Sequence, residues 1–348
     1  MITYLLILIF FVILLLPLLV KRVEHNIELF LLAIGIVTVT LSHAFGPERL
    51  WGLHLLESAL IEPVKITVAT LVFGLVFRAL RDRIRGRIVL LERSLGPRLF
   101  AFLMILALGL LSSVITAIIA ALLLCEVVSA LGLDRKYEVR LVILSCFSIG
   151  MGAALTPIGE PLSTIALAKL RGGALSTDFL FLVRMLGTYI LPGLLIIASL
   201  GAFLRGREVS LSEGLVEDAE ETVGDILRRT ALVYLFVMAL VLLGTGFKPL
   251  IDSHVSRMSA PLLYWVNISS AVLDNATLAA AELGPQMTIG QITGILMGII
   301  ISGGMLIPGN IPNIISASKL RISSREWAVF GAPFGLALMI AYFFILYI

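Results

Sequence analysis

The sequence has little charge, little cysteine and few histidines. Only 14% of its 348 residues are charged, whereas 59% are hydrophobic and the mean hydropathy is +1.07. An average soluble domain carries about 25% charged residues, so this composition excludes that class. Apolar runs recur along the whole chain, and no long polar region remains that could fold outside a bilayer. The composition predicts one all-α, polytopic membrane domain.

The sequence also lacks the motifs of catalysis and metal binding. Cys125 and Cys146 lie in apolar runs, where we expect small buried hydrophobes and no disulfide framework. The four histidines are scattered, which argues against a metal centre. The chain has no HExxH motif, no paired catalytic-aspartate motif and no nucleophile elbow. We therefore expect no enzymatic activity, no cofactor and no nucleic-acid partner.

Hydropathy predicts eight spans and two apolar stretches of unusual length. The spans are about 2–20, 27–46, 58–80, 141–170, 178–204, 229–247, 288–318 and 326–348. The first of them has no cleavage signature and is predicted to be a retained helix. The stretches 99–132 and 258–284 are too long for one crossing and too short for two. The first offers about 15 residues per arm, or ~22 Å of helix, whereas the hydrocarbon core of a bilayer is ~30 Å thick. Re-entrant hairpins fit both stretches, and they require protein or water around their turns.

The placement of arginine predicts the orientation in the membrane. Seven arginines lie between positions 78 and 98, and a short loop of this composition is expected on the cytoplasmic side. The basic clusters that contain Arg135 and Lys319 then also lie inside. We expect a multi-pass protein of the plasma membrane with both termini outside.

A repeated segment divides the chain into two halves. With a shift of 150 residues, GEPLSTIALAKLR from Gly159 aligns with GNIPNIISASKLR from Gly309, and SSVITA from Ser112 resembles SAVLDN from Ser270. Three net crossings per half make the second copy inverted, and inverted repeats with interrupted helices are typical of secondary transporters. The expected parts are N-terminal helices in 1–57, a first repeat in 58–204, a cytoplasmic acidic linker in 205–228 and a second repeat in 229–348.

Proline and glycine interrupt two of the predicted spans. TPIGEP at 156–161 lies inside the span 141–170, and IPGNIP at 307–312 lies inside the span 288–318. Proline cannot continue the helical hydrogen bonds, and glycine tolerates the dihedral angles of an unwound link. An interrupted helix exposes carbonyl oxygens at one end and N–H groups at the other. Each break can therefore bind a small ion near the middle of the bilayer.

Polar side chains at the breaks and hairpin tips are the candidate ligands. A carboxylate at membrane depth is a group for which H⁺ and Na⁺ compete, and oxygen donors suit hard cations. The candidate ion or substrate ligands are Ser113, Thr116, Thr156, Gly159, Glu160, Asp274, Asn275, Thr277, Gly309, Asn310 and Asn313. The candidates for Na⁺ among them are Glu160, Asp274, Asn275 and Asn310.

Three further charged residues have open roles. Glu126 and Glu282 lie on the return arms of the hairpins and are either hydrated helix-end carboxylates or ion ligands. Arg184 lies about two turns into its span, where it snorkels, pairs with a carboxylate or neutralises an anionic substrate.

The chain resembles the ion transporter superfamily in its paired hairpins with polar tips, each followed by a broken helix, with TPIGEP in one and GNIPN in the other. This superfamily includes sodium/proton antiporters, arsenite permeases and sodium-coupled dicarboxylate carriers. GNIPNIISASKLRISSREW and SAVLDNATLAAAEL are especially similar to the DUF1646 predicted cation transporters. The resemblance implies a substrate site between tips and breaks, Na⁺ as a coupling ion, and a homodimer. The dicarboxylate carriers have Ser-Asn-Thr at both tips, whereas this chain has SSVIT at 112–116 and DNAT at 274–277.

Two transport functions follow as hypotheses. The first is a Na⁺(cation)/H⁺ antiporter with alternating access, in which Asp274 and Glu160 titrate. The alternative is a Na⁺-coupled symporter of a small anion such as a di- or tricarboxylate, held by half-helix N-termini and Arg184. Two carboxylates against one arginine at the expected midplane favour the cation.

Overall fold

The computed structural model describes residues 2–24, 26–170, 177–204, 222–254, 258–273, 275–284 and 287–348. Within these ranges the chain forms fifteen α-helices and two short 3-10 segments, without any strand. Five of the described helices are long and apolar enough to cross a membrane. The protein is therefore a helical membrane protein, as predicted. Asp274 and residues 205–221 of the predicted acidic linker lie outside the described residues.

Four helices precede the first predicted hairpin. They are α1 (Ile2–Leu19), α2 (Lys21–Glu24), α3 (Ile27–Phe45) and α4 (Leu53–Leu95). The prediction of a short arginine-rich loop after position 80 is wrong, because α4 stays helical for 43 residues. Arginine, leucine and glutamate are good helix formers, and nothing stops the helix before Gly96. Gly96 ends it with a positive φ of 76° and an N–H bond to the Glu92 carbonyl, as helix-ending glycines do.

The first predicted hairpin consists of α5 (Pro97–Ile115) and α6 (Ala117–Leu131). Thr116 alone separates them, and its φ of 77° turns the chain sharply. The expectation of about 15 residues in each arm is wrong for α5, which has 19 residues and meets the length and hydropathy of a membrane span. The turn takes one residue only, so more of the stretch is helical than the sequence indicated.

Both predicted helix breaks are present in the backbone. The first separates α7 (Arg135–Ala153) from α8 (Pro161–Leu170), and the second separates α13 (Ile289–Gly303) from α14 (Ile311–Lys319). A 3-10 turn, Ile307–Gly309, lies inside the second break. Proline occupies one of the first two positions of both α8 and α14, where its missing N–H removes no helical hydrogen bond.

The remaining helices are α9 (Phe181–Leu204), α10 (Val223–His254), α11 (Ala260–Val266), α12 (Asn275–Glu282) and α15 (Ser324–Tyr347), with a 3-10 segment at Asn267–Ala271. The second predicted hairpin thus has a short first arm that continues as 3-10 helix. The predicted part boundaries at 57/58 and 228/229 fall inside α4 and α10, so helices run across both positions.

The helices pack so that each return arm contacts the other half of the chain. The arm α6 packs against α14, and the arm α12 packs against α8. Helices α3, α4 and α10 pack together, and the Ser42 hydroxyl donates a hydrogen bond to the Gly246 carbonyl at 2.6 Å. From this group, α4 contacts α6 and α10 contacts α12. The hairpins therefore lie between the two breaks and the helices α3, α4 and α10.

Candidate functional site

The two breaks have the same backbone hydrogen bonds at a spacing of 150 residues. Three N–H donors in the first break have counterparts exactly one repeat later in the second. The bonds are Leu155 to Gly152 (3.1 Å), Gly159 to Thr156 (3.1 Å) and Ser163 to Glu160 (3.2 Å), against Met305 to Ser302 (3.0 Å), Gly309 to Leu306 (3.3 Å) and Asn313 to Asn310 (3.1 Å). The repeated segments thus adopt the same local structure.

In each break the backbone turns back and packs, at a glycine, against the last residue of the preceding helix. A Cβ atom at Gly159 would collide with the carbonyl of Ala153, and one at Gly309 would lie 2.5 Å from the carbonyl oxygen of Gly303. These are again equivalent positions. Glycine is required at both because the backbone passes closer to a carbonyl than any side chain permits.

Replacement of Gly159 by alanine is expected to destabilise the protein by about 1–3 kcal/mol, the usual effect of overpacking. Thermal unfolding of the purified protein in detergent measures it. Gly86→Ala is the matched control, since Gly86 is helical with open space around it and alanine is the better helix former. Equal melting temperatures for the two variants would contradict this account of the first break.

The tip of the first hairpin is joined to the first break. The Ala117 N–H donates to the Gly159 carbonyl at 2.9 Å, and the Thr156 hydroxyl donates to the Ser113 carbonyl. The hydroxyl of Ser113 instead bonds to the Leu110 carbonyl within α5, at 2.7 Å. The hydroxyl of Thr116 accepts from the Ile119 N–H and caps α6. At this tip the backbone, more than the side chains, faces the break.

Glu160 is the carboxylate of the first break. It immediately precedes α8, and the residue is 6% exposed. The N-terminus of a helix carries partial positive charge, so this position favours a negative group. The Ser163 hydroxyl bonds to the Ala154 carbonyl at 3.0 Å and ties the start of α8 to the end of α7. The carboxylate is thus held at the junction of the two half-helices.

Two asparagines meet at the second break. The side-chain amide of Asn313 donates to the carbonyls of Gly303 and Leu306, both at 2.8 Å. Asn275, the first residue of α12, lies against Gly303, where an added Cβ would be 2.5 Å from its Oδ1 atom. Both asparagines are buried, and Asn313 Oδ1 has no hydrogen-bond partner among the described residues. The structure therefore brings a buried acceptor oxygen to this break. The side chain of Thr277, also on α12, is outside the described part.

Helix α7 joins the two sites. Asn310 of the second break lies against Gly150, where a Cβ would be 2.8 Å from Nδ2 of Asn310. Two residues along α7, a Cβ at Gly152 would be 2.9 Å from the hydroxyl oxygen of Ser112. Two residues correspond to ~3 Å of helix rise. The first hairpin and the second break therefore reach α7 at nearly the same height.

Ser112 is the polar residue of the first hairpin that the sequence prediction missed. It is fully buried, and its hydroxyl lies 2.9 Å from the Ile149 carbonyl of α7. The helical spacing of the sequence could have indicated it. Ser112 follows Leu108 by four residues and Gly109 by three, so all three lie on the buried face of α5.

Comparison with known protein families identifies the chain. The family model described as "Protein of unknown function (DUF1646)" matches residues 3–348. The chain belongs to the DUF1646 family. A search among curated proteins found no match. The family suggested by GNIPNIISASKLRISSREW and SAVLDNATLAAAEL is thereby confirmed.

Two of the three charged residues with open roles form ion pairs in this DUF1646 protein. Glu126 of α6 pairs with Lys319 of α14, and both side chains are largely buried. Arg184 lies in the first turn of α9, not two turns into a span, because α9 begins at Phe181. It pairs with Asp178 at the surface at 2.5 Å, and its guanidinium holds the pKa of the Asp178 carboxyl below the usual value.

A pocket of about 400 Å³ adjoins the second break. It lies between α3, α10 and α14, and Ile307 of the break forms part of its wall. Its polar lining includes Glu28, Ser318 and Arg321. The pocket therefore brings polar groups up to the wall of the second break.

Proposed function

We propose that this DUF1646 protein is a secondary active transporter, a Na⁺(cation)/H⁺ antiporter that works by alternating access. The observation that carries the proposal is the pair of equivalent helix breaks, each with buried polar side chains. Interrupted helices expose backbone carbonyls and N–H groups, and such irregular backbone at membrane depth is stable only around protein or a water-filled cavity. The contact of both breaks with α7 supports a single ion-binding region.

The charges near the breaks favour a cation as the substrate. Glu160 supplies a buried carboxylate and Asn313 a buried acceptor oxygen. The alternative, a Na⁺-coupled symporter of a small anion, needs positive charge beside the substrate. Arg184 is engaged with Asp178 at the surface, and Lys319 is engaged with Glu126. Of the basic residues that the structure describes near the breaks, Arg321 in the lining of the pocket remains for an anion, together with the half-helix N-termini, so we place the symporter second.

The architecture that we propose is the inverted repeat of the ion transporter superfamily, with two re-entrant hairpins. The shared hydrogen bonds of the two breaks support a repeat. The crossed packing, in which α6 meets α14 and α12 meets α8, supports a two-fold relation between the halves. The location in the plasma membrane, the outside termini and the homodimer are parts of the same proposal.

The transport cycle follows from the competition for one carboxylate. Na⁺ enters from one side and displaces a proton from Glu160 or Asp274. Neutralisation of the site lowers the barrier to moving it through apolar surroundings. The hairpins and breaks then move against α3, α4 and α10, and the ion leaves on the other side.

The test is a proteoliposome assay with a pH-sensitive dye inside acid-loaded vesicles. We expect Na⁺ or Li⁺ outside to raise the internal pH, and K⁺ to serve as the reference for cation selectivity. Citrate and succinate are added in separate arms. Alkalinisation by Na⁺ alone supports antiport, whereas Na⁺-dependent uptake of labelled citrate or succinate without exchange of protons would replace it by the symporter.

A further inference from the structure

Glu282, the last residue of α12, is a buried carboxylate apart from both breaks. The residue is 3% exposed, and neither carboxylate oxygen makes a hydrogen bond to a described residue. It lies seven residues after Asn275 on the same helix, which corresponds to ~10 Å along the axis. This carboxylate therefore belongs to a position of its own in the second hairpin.

The side-chain amide of Asn267 lies beside the Glu282 carboxylate and offers it an N–H donor, although neither carboxylate oxygen is within normal hydrogen-bond geometry. Asn267 begins the 3-10 segment, is fully buried, and donates its amide N–H to the Ile295 carbonyl of α13 at 3.3 Å. That bond turns the amide nitrogen towards α13. Its Oδ1 atom has no hydrogen-bond partner among the described residues. Two buried side chains with unsatisfied oxygen atoms thus lie together between α12, α13 and the 3-10 segment.

The corresponding carboxylate of the first hairpin shows how the protein neutralises such a group. Glu126, on the return arm α6, pairs with Lys319 on α14. Return arm α12 packs against α8, and α8 carries Lys169 at the position equivalent to Lys319. The side chain of Lys169 is exposed, however. Lys169, the equivalent of the lysine that neutralises Glu126, is therefore not buried beside Glu282.

The other elements that pack against α12 supply no buried positive charge in their described parts. Helix α13 and the 3-10 segment contain no titratable residue. The described titratable side chains of α10 are Arg228, Tyr234 and Lys248, and none of them is buried. An ionised carboxylate in such surroundings is unstable by several kcal/mol unless a counter-ion is present.

We propose that Glu282 and Asn267 form a second monovalent cation site, occupied by Na⁺ or H⁺. The carboxylate supplies the charge, and rotation of the Asn267 amide brings its unsatisfied Oδ1 to the cation as a neutral oxygen. Carboxylate and amide oxygens are the donors that a hard cation prefers. The site goes beyond the proposed function, because its occupation requires neither exchange nor the breaks.

Labelling with dicyclohexylcarbodiimide tests the site in the purified full-length protein. The acid proton moves to a carbodiimide nitrogen while the carboxyl oxygen bonds to the central carbon, and the adduct rearranges to a stable N-acylurea with no leaving group. The reagent therefore marks protonated carboxyls in apolar surroundings. Mass spectrometry of the digested protein identifies the modified residue, with choline chloride and NaCl compared at equal ionic strength.

We expect Glu282 to be labelled at acidic pH in choline chloride, and NaCl to reduce the labelling several-fold. Asn267→Ala should keep the label and weaken the protection by Na⁺. If the labelling of Glu282 decreases as the pH rises but does not change with Na⁺, the cation of this site is H⁺. Glu126 is the internal control and should stay unmodified. An unlabelled Glu282 at acidic pH, or labelling indifferent to both pH and Na⁺, overturns the proposal and leaves the exchange assay for antiport unaffected.

Discussion

Replacement of Glu160 by glutamine is expected to lower Na⁺-driven proton exchange in proteoliposomes by at least about 10- to 100-fold. Glutamine has nearly the same shape but cannot release a proton, and it offers a neutral oxygen where the cation requires charge. Loss of one charge-assisted interaction of about 1.5–3 kcal/mol corresponds to that range. The dye assay measures the initial rate of alkalinisation. Thermal unfolding checks that the variant is folded.

Two companion variants show whether the loss is specific to the carboxylate of the first break. Glu57→Gln removes an exposed carboxylate on α4 and should exchange at the rate of the unmodified protein. Glu160→Asp keeps the charge but withdraws it by one methylene, so it should weaken the apparent affinity for Na⁺ and retain measurable exchange. If Glu160→Gln exchanged as fast as Glu57→Gln, Glu160 would not be a transport ligand.

The helix breaks could be predicted from the sequence because their cause is local. Proline removes a donor and glycine admits a close approach wherever they occur, so TPIGEP and IPGNIP indicated the interruptions that the backbone shows. The hydropathy of the spans is equally local. The all-helical membrane class and the two breaks followed from these properties without any knowledge of tertiary contacts.

Features that depend on packing or on helix boundaries were predicted less well. The arginines after position 80 were assigned to a loop by their charge, but the helix propensity of their neighbours continues α4 to Leu95. The later start of α9 moved Arg184 from the interior of a span to the surface. Ser112, not Ser113, faces α7, because the phase of α5 is set by its contact with Gly152.

The ion pair between Glu126 and Lys319 could not be predicted from the sequence either, since its members come from different halves of the chain. Each alone is consistent with a hydrated helix end. Only the packing of α6 against α14 brings them together and buries them. Their contribution to stability is the second large effect that we expect.

Replacement of Lys319 by methionine is expected to destabilise the protein by about 3–5 kcal/mol, because it leaves Glu126 buried without a counter-charge. Thermal or denaturant unfolding in detergent measures the change. Glu126→Gln/Lys319→Met should recover most of the loss, since neither charge is then buried alone. The difference between the double variant and the sum of the single variants gives the coupling energy of the pair.

The ion pair between Lys248 and Glu48 is the matched control, because it too joins distant parts of the chain but is exposed, with side chains 44% and 57% accessible. Lys248→Met should change stability by less than about 1 kcal/mol, as exposed pairs do. If Lys319→Met cost no more than Lys248→Met, the Glu126 carboxylate would reach water or another cation without Lys319. The contrast that separates Glu126 from Glu282 would then disappear, because both return arms would carry a carboxylate open to exchangeable ions.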